Sequence, residues 1–129
     1  MRRRVPGRVF LGGQSYGGRQ ASILAAGEPG LVAALLLLAY PLHPPRRRAD
    51  LRTGHFPELR TPTLFVSGSR DPFGSLEELE AARRLVPVET ALLAIEGAGH
   101  DLARTPRRSV EDVAAEIARA LAEFAMRAR

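Results

Sequence analysis

A serine lies between two glycines in Gly13-Gln14-Ser15-Tyr16-Gly17, at the point where an apolar run meets a helix-like segment. The serine of a G-x-S-x-G motif stands on a sharp turn from a strand into a helix, where its hydroxyl is exposed. The two glycines allow this turn because they carry no Cβ that would clash. The motif therefore predicts Ser15 as a nucleophile and the backbone N–H of Tyr16 as a donor to an oxyanion.

Strand-like and helix-like segments alternate along the rest of the chain. Residues 31–39 are apolar throughout, which is typical of a strand covered on both faces, although a short buried helix has the same pattern. Ser75 and Glu78 form a capping box that predicts the start of a helix. The predicted elements, in chain order, are strand 8–12, helix 16–26, strand 31–39, strand 63–67, helix 75–85, strand 90–96 and helix 109–127.

This alternation favours an α/β fold, because parallel strands need a crossover connection between them. We expect about four parallel strands, in spatial order along the chain and flanked by helices. Residues 42–60 are the one irregular stretch, and a helical turn is predicted near residues 50–53. Residues 1–129 are expected to form a single domain.

Two further residues complete a candidate catalytic triad with Ser15. A serine needs a base to take its proton and an acid to orient that base, and after a strand-turn-helix serine the acid precedes the histidine in the chain. Asp71 follows the third predicted strand and His100 follows the fourth, so all three side chains come after strand ends, where open parallel sheets build their sites. An ordinary Asp-Pro turn and a surface histidine are the alternatives, and Glu96 and Asp101 are rival acids.

Other polar residues are weaker candidates. Gln14 precedes the serine, and His43 and His55 lie in the irregular stretch, so these three side chains are predicted substrate contacts. Arg19 follows the motif on its helix, where a packing or salt-bridge role is favoured over that of a carboxylate anchor.

The composition excludes several classes of protein. The chain has no cysteine, which excludes disulfides and thiolate chemistry, and its three histidines show no i, i+4 pair. We therefore expect no metal and no organic cofactor. The longest apolar run has nine residues, whereas a spanning helix needs about 20. With no signal-peptide core either, the sequence predicts a cytoplasmic protein with no membrane segment.

The net charge of +5 comes from arginine, because the chain contains no lysine. Arginine clusters at residues 2–4 and 46–48 resemble phosphate-binding patches. However, no aromatic residue is interleaved with them as in a nucleic-acid platform, so solvated loops are the favoured interpretation and nucleic acid is not an expected partner.

Four stretches of the chain resemble the α/β-hydrolases, and within them the dienelactone-hydrolase-like group. That group includes small testis-expressed hydrolase-like proteins and a scaffold subunit of the NSL chromatin complex. The second and third stretches are more specific than the motif around the serine. The stretches are residues 12–19 (GGQSYGGR), 40–45 (YPLHPP), 62–74 (PTLFVSGSRDPFG) and 99–102 (GHDL).

The resemblance implies Ser15 as nucleophile, Asp71 as orienter and His100 as base of a serine hydrolase. Its substrate would be a small-molecule ester, lactone or thioester, cleaved through an acyl-enzyme. Because a scaffold protein belongs to the same group, a non-catalytic interaction module is the alternative, with the arginine clusters at 2–4 and 46–48 and the open edge strand as its contact surfaces.

The resemblance also implies a partial fold, because family members carry several strands and helices before the nucleophile. The chain resembles only the C-terminal half and is expected to be a truncated product, inactive alone, or one half of a two-chain enzyme. The first strand, from Arg8 to Gly12, would then be an open edge, which favours self-association.

Overall fold

A computed structural model of the chain describes residues 9–102 and 105–128. Four strands and three helices alternate in it, with one short 3₁₀ helix at Phe56–Glu58 between the second and third strands. The strands are β1 (Phe10–Gln14), β2 (Ala34–Leu38), β3 (Thr63–Gly68) and β4 (Thr90–Ile95), and the helices are α1 (Tyr16–Gly27), α2 (Leu76–Arg83) and α3 (Val110–Arg127).

The four strands form one parallel sheet in the order β1-β2-β3-β4. In register, Gly13 lies beside Leu37, Leu37 beside Phe65 and Phe65 beside Leu92. This confirms the predicted α/β class, the number of strands and their order in space. Because all strands run the same way, their C-terminal ends share one edge of the sheet.

Helices cover both faces of the sheet, which explains the near-continuous apolar runs of the central strands. On one face, Leu35, Leu37 and Phe65 pack with residues of α1 and α2. On the other face, Leu64 and Phe124 belong to a second cluster, which joins the strands to α3. All six residues of β3 are buried. None of the helices within the described residues is long and apolar enough to cross a bilayer.

Two local predictions differ from the structure. Strand β1 runs on to Gln14, so that Gly13 and Gln14 belong to the strand rather than to the turn, and Arg8 lies outside the described residues. The helical turn predicted near residues 50–53 is wrong, because the helical segment is Phe56–Glu58. Pro57 fixes the first-turn backbone there, and Phe56 is fully buried in the core, so tertiary packing decides the position.

Strand β1 lies at one end of the sheet and pairs only with β2 among the described residues. The carbonyl of Val9 accepts from Ala33 N–H at 2.6 Å, and Ser15 N–H donates to Leu38 O at 2.7 Å. Backbone groups of alternate residues point to opposite sides of a strand, so the N–H of Gly12 points away from β2. The outward N–H of Gly12 is therefore placed where it can pair with another strand.

We expect the 129-residue chain to self-associate through β1 and the substitution Gly12→Pro to weaken that association. Proline removes the outward N–H, and a Cβ at Gly12 meets Leu36 at an ordinary 3.5 Å. Sedimentation velocity over a range of concentrations measures the effect. Gly27→Ala, where a Cβ meets open space, is the control and should associate like the parent chain. Equal association of both variants would exclude this edge as the contact.

Candidate active site

Ser15 stands alone between the last residue of β1 and the first residue of α1. Its backbone angles, φ 54° and ψ −123°, lie outside the regions that a residue with a Cβ ordinarily adopts. Its N–H donates to Leu38 O on β2 at 2.7 Å, and its carbonyl accepts from Arg19 N–H on α1 at 3.1 Å. A strained residue persists only where its surroundings fix it, and these two bonds fix Ser15 at the strand end.

Two glycines allow β1 and α1 to approach each other so closely. A Cβ on Gly13 would lie 2.6 Å from backbone atoms of Gly17 and Gly18, and one on Gly18 would lie 2.9 Å from Gly13 O. A Cβ on Gly17 would meet nothing within 4 Å. The close approach therefore depends on Gly13 and Gly18, whereas the sequence motif pointed to Gly13 and Gly17.

The three predicted triad residues meet in a line. Ser15 Oγ lies 2.7 Å from His100 Nε2, and His100 Nδ1 lies 2.9 Å from Asp71 Oδ2. The Asp71 side chain is fully buried, whereas the His100 side chain is 27% exposed. With Nδ1–H donating to the carboxylate, Nε2 is left as an acceptor for the serine hydroxyl.

The loops that carry the acid and the histidine are joined through their main chains. Arg70 N–H donates to Ala98 O at 2.8 Å, and Gly97 N–H donates to Ser69 Oγ at 2.8 Å. Any Cβ on Gly68 would overlap the Ala98 carbonyl. The two loops therefore form one packed unit at the ends of the adjacent strands β3 and β4.

Phe73 is a site residue that the sequence analysis missed. Its N–H donates to Asp71 Oδ1 at 2.8 Å, so both carboxylate oxygens of Asp71 accept a hydrogen bond. Its ring lies against the His100 ring, with centroids 4.2 Å apart and planes tilted by 31°. The available signal was a large apolar residue in an otherwise polar turn, two positions after the acid.

Tyr16 and Gln14 flank the serine on either side. Tyr16 is the first residue of α1, so its N–H has no acceptor within the helix and points out at the positive helix end. Gln14 is exposed and lines an open cleft of about 220 Å³. Leu38, Leu102 and Val113 give this cleft an apolar wall. Oxyanion and substrate roles for Tyr16 and Gln14 remain predictions.

His43 is buried, with only 3% of its side chain exposed, and both ring nitrogens have partners. Nδ1 lies 2.8 Å from Pro44 O and Nε2 lies 2.9 Å from Glu78 Oε1. Burial alone lowers the pKa of His43, but the hydrogen bonds to Glu78 and Pro44 outweigh it and raise that pKa above its ordinary value. The N–H of Ser75, followed by His43, lowers the pKa of Glu78 to about 2. Both ring nitrogens of His43 face oxygen acceptors, a carbonyl and a carboxylate, which is the hydrogen-bonding geometry of an imidazolium–carboxylate pair.

His55 belongs to a different contact. Its Nε2 lies 2.7 Å from Ser22 Oγ, and that hydroxyl also donates to Arg19 O at 2.8 Å. Burial, followed by the charge of Arg19, lowers the pKa of His55 and favours the neutral ring. Ser22 is fully buried, so this second Ser–His contact is closed to a substrate. Both His43 and His55 are engaged inside the protein, and their predicted substrate contacts remain untested.

The described residues, 9–102 and 105–128, include no group of three histidine, aspartate or glutamate side chains placed to hold a metal ion. The polar groups at the strand ends are instead paired with one another, as in the contacts of Asp71 and His100. What the site offers chemically is a serine hydroxyl, a base and a buried carboxylate.

The four-stranded parallel sheet is a partial α/β-hydrolase fold, and it carries a strained serine and a Ser–His–Asp line at the positions typical of that fold. The sequence profile of the alpha/beta hydrolase domain family matches residues 2–127. The chain belongs to this family.

Solved hydrolase structures share the fold. A dienelactone hydrolase from Anabaena variabilis is 25% identical with a TM-score of 0.69, and the match covers 94% of this chain and 50% of that one. A monoacylglycerol lipase from Paleococcus ferrophilus is 13% identical with a TM-score of 0.70, covering 88% and 68%. Est1E from Butyrivibrio proteoclasticus is 16% identical with a TM-score of 0.67, covering 92% and 62%. The chain thus spans half to about two-thirds of the length of these structures.

The glycine packing generates a matched pair of variants. We expect Gly13→Ala to disrupt the turn, because its Cβ would lie 2.6 Å from rigid backbone, and Gly17→Ala to fold normally, because its Cβ meets open space. Urea denaturation measures the difference, which should be at least about 1–3 kcal/mol, the range for overpacking. Equal stabilities would show that α1 moves freely away from β1.

The His43–Glu78 pair predicts a pH-dependent stability difference between the parent chain and Glu78→Gln. The contribution of the Glu78 carboxylate to the free energy of unfolding is complete above its ordinary pKa of 4.5. It is lost as the pH falls toward the folded-state pKa of about 2. The contribution of His43 to the free energy of unfolding is complete below its ordinary pKa of 6.5. It is lost as the pH rises through the higher folded-state pKa. The gap in unfolding free energy should therefore be widest between pH 4.5 and 6.5. Urea denaturation at a series of pH values tests this, and a constant gap would contradict the ionic pair.

Proposed function

We propose that this chain carries the catalytic centre of a serine hydrolase that acts on small carboxylic esters, lactones or thioesters through an acyl-enzyme. The observation that carries the proposal is the unbroken line from Ser15 Oγ through His100 to the buried Asp71 carboxylate. Nucleophile, base and orienting acid in hydrogen-bond reach are the geometric signature of covalent catalysis by serine.

In the proposed mechanism, Ser15 Oγ attacks the substrate carbonyl carbon while His100 Nε2 takes the hydroxyl proton. Asp71 holds Nδ1–H and stabilises the imidazolium that forms. The carbonyl oxygen becomes an oxyanion, which accepts from Tyr16 N–H at the positive end of α1. The tetrahedral intermediate collapses, His100 gives its proton to the leaving alcohol or thiol, and Ser15 remains acylated.

Deacylation repeats these steps with water. His100 takes a proton from the water as its oxygen attacks the acyl carbon, and then returns the proton to Ser15 Oγ as the acid leaves. The described residues offer one oxyanion donor at the serine turn, and in hydrolases of this type a second N–H comes from a loop that precedes that turn.

The substrate class rests on the cleft and on the structural neighbours. Leu38, Leu102 and Val113 line the cleft beside Gln14 and suit an apolar acyl or alcohol group, while Asp101 adds one carboxylate to the same lining. A dienelactone hydrolase and a monoacylglycerol lipase are among the neighbours, and both names denote cleavage of carboxylic esters. We also propose that the chain belongs to the dienelactone-hydrolase-like group, which includes the testis-expressed hydrolase-like proteins.

A non-catalytic interaction module explains the site less well. Such a module has no need for Ser15 in a backbone conformation that costs about 1–3 kcal/mol. Nor does it need a fully buried Asp71 carboxylate aimed at a histidine that remains partly exposed. The strain and the buried charge both favour a catalytic serine.

We expect a fluorophosphonate probe to add once to the parent chain, at Ser15, and not at all to Ser15→Ala. Asp71→Asn should slow labelling by about 10⁴-fold, because the histidine then loses its oriented tautomer. Intact-mass measurement and peptide mapping give the site and the rate.

The matched control is Ser22→Ala, which removes the second Ser–His contact of the chain. It should label at the parent rate. An adduct that survives in Ser15→Ala, or a folded parent chain that takes up no probe, would contradict the proposed function of this chain.

A further inference from the structure

The turn that carries Asp71, residues 71–75, is held from behind by a segment that takes no direct part in the proposed chemistry. That segment lies in the loop after β2 and contains His43. Two separate links join it to the turn, one through the main chain and one through side chains.

The main-chain link ends on the residue that packs against the base. His43 N–H donates to Phe73 O at 3.0 Å. Phe73 in turn donates its own N–H to Asp71 Oδ1 and places its ring 4.2 Å from the His100 ring, centroid to centroid. A displacement of the His43 backbone would therefore be felt by both Asp71 and His100.

The side-chain link passes through one carboxylate oxygen. Glu78 Oε1 accepts from His43 Nε2 at 2.9 Å and from Ser75 N–H at 2.9 Å. Ser75 closes the capping box by accepting Glu78 N–H on its hydroxyl at 3.1 Å. The His43 ring thus holds the Glu78 carboxylate, and that carboxylate holds Ser75 at the far end of the turn that carries Asp71.

A capping box requires only Ser75 and Glu78, so the cap alone does not explain why a charged histidine is buried against it. Burying a charge is costly unless it is paired, and His43 is only 3% exposed. Arg48 also reaches Glu78, at 3.1 Å, but its side chain is 73% exposed, and such surface pairs contribute little. Of the two contacts of Glu78, the buried one with His43 is therefore the one that can constrain the turn.

We propose that His43 is a positioning residue, which holds the Asp71 turn and the Phe73 ring so that His100 stays aligned between Asp71 and Ser15. The expected loss of labelling rate at Ser15 rests on the proposed function. The alignment of His100 does not, because it is a property of the protein whether or not a substrate is turned over. This positioning role of His43 differs from the substrate contact predicted from sequence.

Two readouts test the proposal in the full chain. The first is the fluorophosphonate labelling rate at Ser15, resolved into the saturating rate and the half-saturating probe concentration. The second is the NMR signal of the His100 ring, including its Nδ1 proton, which reports the hydrogen bond to Asp71 without any reaction. With three histidines in the sequence, the variants themselves assign the ring signals.

We expect His43→Ala to shift the His100 ring signals and to lower the saturating labelling rate by about 10- to 100-fold. The half-saturating concentration should stay unchanged, because no substrate contact is lost. Phe73→Leu should do the same, and Phe73→Tyr should restore most of the rate by restoring the ring. The double variant His43→Ala/Phe73→Leu should label little more slowly than the slower of the two single variants, because both changes act on the same turn and on the same alignment of His100.

Arg48→Ala is the matched control, since it removes the exposed partner of Glu78 and leaves His43 in place. It should match the parent chain in both readouts. If His43→Ala does not fold, Glu78→Gln replaces it, because the glutamine oxygen still accepts from Ser75 N–H while the ionic link to His43 is lost.

The outcomes separate the two proposals. Unshifted His100 signals in folded His43 or Glu78 variants would overturn the positioning role, whatever the parent chain does with the probe. A parent chain that takes up no probe would overturn the proposed function, and shifted His100 signals would then still support the positioning role. A raised half-saturating concentration with an unchanged saturating rate would make His43 a substrate contact and overturn the inference.

Discussion

The buried carboxylate of Asp71 is the constraint on which the site depends. Removing a carboxylate from water is costly unless hydrogen bonds replace the lost hydration. Here one oxygen accepts from Phe73 N–H and the other from His100 Nδ1. Meeting this requirement fixes the turn after β3, brings the His100 loop against it, and leaves Nε2 of the histidine facing Ser15.

The sheet places the Asp71 loop and the His100 loop close together. Strands β3 and β4 are neighbours, so the acid and histidine loops begin one strand spacing apart, about 4.8 Å. Ser15 lies at the end of β1, on the far side of β2, and is tied to β2 through Leu38 O. His100 therefore reaches from the end of β4 past the ends of β3 and β2, and the hydrogen bond from Arg70 N–H to Ala98 O anchors its loop beside β3.

Local patterns predicted the elements because strands and helices depend on short-range chemistry. The triad, whose contacts are 85 and 29 residues apart, could be predicted because parallel strands bring the residues after their ends to one edge of the sheet. Apolar runs gave the strands, and the order serine, acid, histidine after strand ends gave Ser15, Asp71 and His100. Tertiary packing decided the rest. The close partner of Gly13 is Gly18 rather than Gly17, and a contact 35 residues apart pairs His43 with Glu78. No periodicity in the sequence encodes such distances.

The three histidines show why partners, rather than residue type, decide chemical role. His43 lies between a carbonyl and a carboxylate, so both its nitrogens donate and it has no lone pair to offer as a base. Burial, followed by the charge of Arg19, lowers the pKa of His55, but the hydroxyl beside it, Ser22, is fully buried and cannot reach a substrate. Only His100 combines an acid behind it, a hydroxyl in front and partial exposure. The assignment of the base therefore follows from the hydrogen bonds of all three rings.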